Sequence, residues 1–149
     1  MRQKLRAGWT MVTMVAASLA FAPGPDALAA ASCAPLPAPQ GTTIEVDTVA
    51  ELQAAVAGVT SGSTILIADG VYDLTNTLNI RGVTNVAIRS ASGNRDGVVL
   101  RARGMNNSSY GNVPHAIAIY DAQDVLIADL TLRDAYFHLI QIHGEANAD

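Results

Sequence analysis

Hydrophobic residues alternate with other residues along much of the chain, in short segments separated by Gly, Asn and Asp. An early apolar segment, residues 65–67, runs into the corner Ala68-Asp69-Gly70 and resumes at Val71. The alternating pairs that follow are Leu78/Ile80, Val86/Ile88, Val98/Leu100, Ile117/Ile119, Val125/Ile127 and Ile140/Ile142. Period-two alternation interrupted by turn residues predicts short β-strands, each with one buried face.

A single helix is expected before these strands. Thr48 and Glu51 have the spacing of a capping box, in which each side chain bonds the other's backbone N–H. Gly58 and Gly62 supply an exit from the helix. From the cap onward, apolar residues step by three and four and form one stripe: Val49, Leu52, Val56 and Val59. This pattern predicts an amphipathic helix over residues 49–57.

The chain also repeats itself. The segment "LNIRGVTNVAIRSAS" (78–92) aligns with "IAIYDAQDVLIADLT" (117–131), which superposes Leu78 on Ile117. Two smaller steps, from Ile80 to Leu100 and from Ile119 to Ile142, are interpreted as single coils, so that the larger step would be about two coils. Strands repeating in this way predict a parallel solenoid with one continuous core. We expect the helix to cap its open end.

The N-terminus has the three parts of a secretory signal peptide. Arg2, Lys4 and Arg6 precede an apolar stretch at 7–22, and Ala27-Leu28-Ala29 offers small residues for cleavage. The stretch is too short for a stable membrane span. We therefore expect a signal peptide at 1–31, a Pro-rich linker at 32–41, β-solenoid coils at 42–149, and an extracellular or periplasmic location. Lipoprotein anchoring through Cys33 is an alternative.

The charge left after the leader is negative. The leader contains three of the nine basic and one of the thirteen acidic residues, which leaves six arginines, twelve carboxylates and a net charge of −6. Such a balance argues against a nucleic-acid partner, because binding to nucleic acid depends on neutralising phosphates. A single cysteine excludes an intrachain disulfide. Stability must therefore come from packing, and the oligomeric state stays open.

Three segments together resemble a known superfamily. These are "TVAELQAAVAGVTSGSTILIADGVYDL", "VTNVAIRSAS", and "AQDVLIADLTLRDA" followed by "LIQIHG". They look like the N-terminal cap and first coils of right-handed parallel β-helix proteins of the pectate-lyase-like kind. Among these, the chain is most similar to secreted polysaccharide lyases of the alginate lyase and chondroitinase B type. The resemblance implies an all-β solenoid with a capping helix, and a secreted protein acting on a uronate-containing polymer.

Outward positions on the predicted strands suggest a binding surface. Placing the strands in register aligns Arg81, Arg101, Tyr120 and His143 in one external column, beside Asn79, Val99, Ala118 and Gln141. An arginine can hold a uronate carboxylate with two hydrogen bonds, and a tyrosine ring can lie on a sugar face. We expect the column to bind acidic polysaccharide. An ordinary solvated face would also be polar, because alternation alone predicts outward polar residues.

No catalytic residue can be assigned by the resemblance. It implies β-elimination, in which calcium or a basic residue neutralises the carboxylate and a lysine or arginine removes a proton. The mature chain has no lysine, and no ligand spacing typical of a metal site is present, so catalytic residues stay unknown and calcium is implied by resemblance alone. A non-catalytic glycan-binding or adhesive β-helix is the alternative function. The last segment, "LIQIHGEANAD", lacks a capping pattern, so we expect the chain to be the front part of a longer protein.

Two further features concern the corners and loops. Asp69, Asp96 and Asp121 are interpreted as turn formers whose side chains bond their own backbone. The polar excursion "GMNNSSYGNVPH" (104–115) is either the wall of a groove or a mobile surface loop.

Overall fold

The computed structural model describes residues 36–144. The signal peptide predicted for 1–31, Cys33 and residues 145–149 lie outside the described residues. The described part contains one helix, α1 (Val49–Ala57). Its ten strands are β1 (Thr42–Val46), β2 (Ser63–Ile67), β3 (Gly70–Asp73), β4 (Leu78–Arg81), β5 (Thr84–Ser90), β6 (Val98–Arg101), β7 (His115–Tyr120), β8 (Gln123–Ala128), β9 (Thr131–Arg133) and β10 (His138–His143). The alternation did not single out β1 or β9.

The strands form three parallel sheets. The first sheet has the order β1-β2-β5-β8, the second β3-β6-β9 and the third β4-β7-β10. After β1 and α1, the chain passes through the first, second and third sheets in turn, and it does so three times. We call each such passage a circuit. Every strand after β4 pairs in parallel with the strand at the same place in the preceding circuit.

Alternation of burial confirms the predicted pattern in β4, β5 and β6. In β4, Leu78 and Ile80 are buried while Asn79 and Arg81 are exposed. The pattern fails in β10, where Ile140 and Ile142, predicted to face the core, are exposed because β10 is an edge strand of its sheet. Ala118 is an exception, because it is buried on the outward side of β7. Residues from all three sheets and from α1 form one apolar cluster, whose fully buried members include Leu52, Ile65, Ile67, Leu78, Ile80, Ile88, Leu100 and Ile117. The three sheets and the helix therefore share a single core.

The length assigned to a repeat was wrong. Leu78 pairs directly with Ile117, so the step between these two residues is one circuit rather than two. Ile80 and Leu100, interpreted as neighbours one coil apart, lie in the third and second sheets. The next circuit, from Ile117 to its partner Ile140, is shorter. Circuits differ in length because the loop at 102–114 is inserted between β6 and β7, and a surface insertion leaves the strand pairing intact.

Helix α1 has the predicted bounds and the predicted cap. The Thr48 hydroxyl accepts a hydrogen bond from the Glu51 backbone N–H at 3.3 Å, and the Glu51 carboxylate accepts one from the Thr48 N–H at 3.2 Å. The helix contacts β1, β2 and β4. It buries Leu52 and Val56 in the core, so its apolar stripe covers the first strands of the chain.

Acidic residues at the corners behave only partly as expected. Asp121 has a φ of 45°, a left-handed conformation that Asp and Asn tolerate better than most residues. The Asp69 carboxylate instead accepts a hydrogen bond at 2.6 Å from the Ser92 hydroxyl, in the equivalent corner one circuit later. In the turn at Asp96, the side chain that accepts the hydrogen bond belongs to Asn94, and Asp96 supplies the donor, its backbone N–H, at 3.1 Å. Corner side chains therefore also bond between circuits.

Residues 36–40 lie along the outer face of the first sheet. The Arg89 guanidinium donates to the Pro37 carbonyl at 2.8 Å, and the Thr64 hydroxyl donates to the Gln40 carbonyl at 3.1 Å. Together with the sheet, this segment borders a cavity of about 210 Å³. Between residues 36 and 144 there is no helix with the length and apolar character needed to cross a bilayer.

We predict that Leu52→Ala destabilises the protein. The substitution removes a fully buried side chain between α1 and the sheets and should lower the free energy of unfolding by about 2 to 5 kcal/mol. Urea denaturation measures the change. Ala54→Ser, at an exposed position of the same helix, is the control and should change it by less than about 0.5 kcal/mol. Equal stability of Leu52→Ala and the wild type would contradict the assigned packing.

Candidate functional site

The third sheet presents a regular outer face. Its inward residues are fixed by the core, so the residues between them point outward. Arg81 pairs with Tyr120, and Tyr120 pairs with His143, across the three neighbouring strands. Strand pairing thus places three residues that lie far apart in sequence side by side on one surface.

These three side chains stack on one another. The central guanidinium carbon of Arg81 lies 3.8 Å from the centroid of the Tyr120 ring. The Tyr120 and His143 rings are nearly parallel, at an interplanar angle of 3°, with centroids 4.4 Å apart. Cation–π attraction and ring stacking both favour this arrangement. We call Arg81, Tyr120 and His143 the stacked column.

Stacking changes what the tyrosine can offer to a ligand. One face of the Tyr120 ring is covered by Arg81 and the other by His143. A sugar ring therefore cannot lie flat on Tyr120, contrary to the expectation from the sequence. The edges of the column carry the Arg81 nitrogens and the Tyr120 hydroxyl, which are hydrogen-bonding groups, whereas the Nε2 atom of His143 is buried and has no hydrogen-bond partner among the described residues. The column can thus offer polar contacts rather than a stacking platform.

Arg101 does not belong to this column. It lies on β6 in the second sheet, where its register neighbours are Asp73 and Arg133. Its guanidinium donates two hydrogen bonds of 2.7 Å to the Asp73 carboxylate. These bonds lower the pKa of Asp73 and raise the pKa of Arg101, because each charge stabilises the other. The predicted column failed here because the step from Ile80 to Leu100 was taken for one coil, whereas these residues lie in different sheets.

The row beside the column is also only partly as predicted. Asn79, Ala118 and Gln141 are register partners on the third sheet, whereas Val99 lies on the second sheet. The Asn79 amide donates to the Thr77 carbonyl at 3.1 Å. Ala118 is fully buried between its two neighbours. Two amide side chains therefore flank a methyl group next to the stacked column.

A second group of residues, not predicted as a site, lies where the chain passes from the second to the third sheet. Five tyrosine and phenylalanine residues occur between residues 36 and 144, and three of them, Tyr110, Tyr136 and Phe137, form one cluster. The Tyr110 ring centroid lies 5.6 Å from those of both Tyr136 and Phe137. We call these three residues the aromatic cluster. The available sequence signal was aromatic residues placed inside polar loops.

A polar recess accompanies the aromatic cluster. Its volume is about 260 Å³, and it is lined by Asp73, Arg101, Ala102, Arg103, Gly104, Asn106, Asn107 and Asp134. The polar excursion predicted at 104–115 supplies several of these residues. We call this cavity the corner recess. It combines guanidinium, carboxylate and amide groups.

Two histidines connect the aromatic cluster to the third sheet. The His115 and His138 rings stack with centroids 5.2 Å apart, and their Nδ1 atoms are 3.4 Å apart. The His115 ring also contacts Phe137, at a centroid distance of 6.0 Å. Burial lowers the pKa of His115, and the charges of His138 and His143 lower it further. The neutral form of the His115 imidazole is thus favoured.

The described part of the chain contains no candidate metal site. Within residues 36–144, no three His, Cys, Asp or Glu side chains come together in an arrangement that could hold a metal ion.

Comparisons with protein-family models, with curated proteins and with solved structures gave no match. The function is consequently argued from the residues of this chain.

The lowered pKa of His115 predicts a pH dependence of stability. The unfolded chain binds a proton at His115 more tightly than the folded chain does, so protonation favours unfolding. The free energy of unfolding should fall as the pH drops below about 6.5, the ordinary pKa of histidine. Urea denaturation at several pH values should show a smaller fall for His115→Gln than for the wild type. Superimposable profiles of the two proteins would contradict this role of His115.

Proposed function

We propose that this chain forms part of a right-handed parallel β-helix. The proposal is supported by the repeated passage through three parallel sheets, in which each strand pairs with its equivalent in the preceding circuit. Connections between parallel strands of one sheet are right-handed in nearly all proteins. In this arrangement, α1 would cap the end formed by the first strands. The resemblance of the sequence to secreted β-helix proteins points the same way.

We further propose that the protein is exported and binds an acidic, uronate-containing polysaccharide. The observation that carries this proposal is the stacked column. Three side chains, two of them with hydrogen-bonding edges, follow one another across adjacent strands, at the roughly 4.8 Å spacing of a sheet. An extended polymer that lies across the strands could meet them in succession. Arg81 would contact a carboxylate, the Tyr120 hydroxyl would contact a sugar hydroxyl group, and His143 would support the Tyr120 ring from its other face.

The stacking also favours binding for an entropic reason. Long side chains usually lose rotamer freedom when they bind a ligand, at a cost of roughly 0.5–1.5 kcal/mol each. Arg81 already lies against the Tyr120 ring, and Tyr120 lies against His143. Part of this ordering is therefore complete before a polysaccharide arrives.

Arg81→Gln should weaken binding to an acidic polysaccharide about tenfold, because it removes a charge-assisted hydrogen bond. Affinity electrophoresis of the full chain in gels containing alginate or polygalacturonate measures the effect, with a neutral dextran gel for comparison. Arg95→Gln is the matched control, since it changes the net charge equally at an exposed loop position. Equal weakening by both variants would indicate binding by net charge and would contradict a site at the column.

Lyase activity on the same polymer is a second candidate function. The observation that favours it is the proximity of a cation, Arg81, to two side chains that can exchange a proton, Tyr120 and His143. In β-elimination, a cation stabilises the carboxylate while a base removes the proton on C5; the C4–C5 double bond forms as the C4–O bond breaks, and the departing glycosidic oxygen takes up a proton from an acid.

Incubation of the full chain with alginate, pectate and glycosaminoglycans should, for a lyase, release unsaturated chain ends that absorb in the ultraviolet. Tyr120→Phe removes the hydroxyl while keeping the ring and should abolish that signal. A protein that binds these polymers without producing the signal would be a binding protein only.

A further inference from the structure

We propose that the corner recess and the aromatic cluster together form a second glycan subsite, which holds a single uronate residue. This inference rests on the proposed acidic polysaccharide ligand, and it names residues away from the stacked column.

The two loops that build this site contact each other. The first, 102–114, joins β6 to β7, and the second, 134–137, joins β9 to β10 in the next circuit. The backbone N–H of Phe137 donates to the Pro114 carbonyl at 3.0 Å. At the other end of the first loop, Gly104 lies against Asp134, where an added methyl group would come 3.6 Å from the Asp134 carbonyl oxygen. The loops thus form one surface.

The rings of the aromatic cluster pack on one another and yet remain exposed. Tyr136 and Phe137 pack edge to face, with centroids 4.9 Å apart at 84°, and Tyr110 packs on Tyr136 at 71°. Nevertheless 43% of Tyr110 and 56% of Phe137 remain accessible to solvent. Edge-to-face contacts fix the rings without covering all of their faces. Unlike Tyr120, whose two faces are covered, these rings can accept the apolar face of a sugar.

Arg103 supplies a cation that no other described residue neutralises. Ion pairs with aspartates hold Arg89, Arg95, Arg101 and Arg133. The guanidinium of Arg103 makes neither an ion pair nor a hydrogen bond with the described residues, and it is exposed at the recess. It extends toward the aromatic cluster, because a methyl group on Gly111, next to Tyr110, would lie 3.4 Å from its Nη1 atom.

The charges around the recess favour an anion. Asp73 is held by Arg101, and Asp134 is held by Arg133 at 3.0 Å, so among the described residues Arg103 remains as an uncompensated positive charge. The Asn106 side chain makes no hydrogen bond to the described residues, which leaves its amide for a hydroxyl group. Asn107, by contrast, is engaged with the Arg103 and Gly104 carbonyls and shapes the loop.

A uronate residue matches this combination. Its carboxylate fits the two-pronged guanidinium, its hydroxyls fit an amide, and its apolar ring face fits an aromatic side chain. A neutral sugar would use only the rings and the amide. The corner site should therefore favour acidic over neutral sugars, and Arg103 should account for that preference.

The test uses the full chain and a matched pair of ligands: a galacturonate trisaccharide and the same trisaccharide with its carboxyl groups reduced. Isothermal titration calorimetry measures both affinities. Arg103→Gln should reduce the affinity for the acidic trisaccharide about tenfold and leave that for the neutral one unchanged. The double substitution of Tyr110 and Phe137 by Ala should lower the affinity for both trisaccharides. Urea denaturation checks that each variant keeps the wild-type midpoint.

The control variants separate this site from the stacked column. Arg95→Gln, with the same change of net charge, should leave both affinities as in the wild type. Wild-type affinity of Arg103→Gln for the acidic trisaccharide, together with weakened binding by Arg81→Gln, would overturn the corner subsite and leave the column proposal standing. A wild-type protein that binds no acidic saccharide at all would overturn both proposals.

Discussion

Parallel pairing of each strand with its equivalent one circuit earlier is the constraint on which the rest of this structure depends. The pairing keeps residues of the same orientation adjacent, so apolar residues meet in the core and polar residues meet outside. Side chains alternate along a strand, and a slip of one residue would exchange the two faces. The same register that buries Ile80 beside Ile119 therefore places Arg81 beside Tyr120.

Variation is confined to the segments that the pairing does not restrict. A loop can lengthen by many residues at a small entropic cost, provided that its ends still reach the same two strands. The loop at 102–114 carries Arg103 and Tyr110, and it meets the shorter loop that carries Tyr136. The strands thus supply a regular polar column, and the loops supply exposed aromatic rings and an uncompensated cation.

The negative net charge of the chain does not decide what its surface binds. Screening in salt limits the reach of a charge to about 8–10 Å, so a ligand responds to the groups immediately around it. The two aspartates that line the corner recess are already paired with arginines, Asp73 with Arg101 and Asp134 with Arg133. A ligand at the corner recess therefore meets the positive charge of Arg103, although the protein as a whole is acidic.

Local patterns in the sequence determined the helix with its cap, most of the strands and the face that most of these strands bury, because a capping box and period-two alternation depend on neighbouring residues. The alignment of Leu78 with Ile117 and the step from Ile119 to Ile142 also related Arg81 to Tyr120 and Tyr120 to His143. Only the tertiary structure decided that the step from Leu78 to Ile117 makes one circuit, and hence that Arg101 faces Asp73 on another sheet. It alone brought Tyr110 to Tyr136 and Phe137, because contacts between loops of different circuits depend on where the strands end and leave no periodic trace in the sequence.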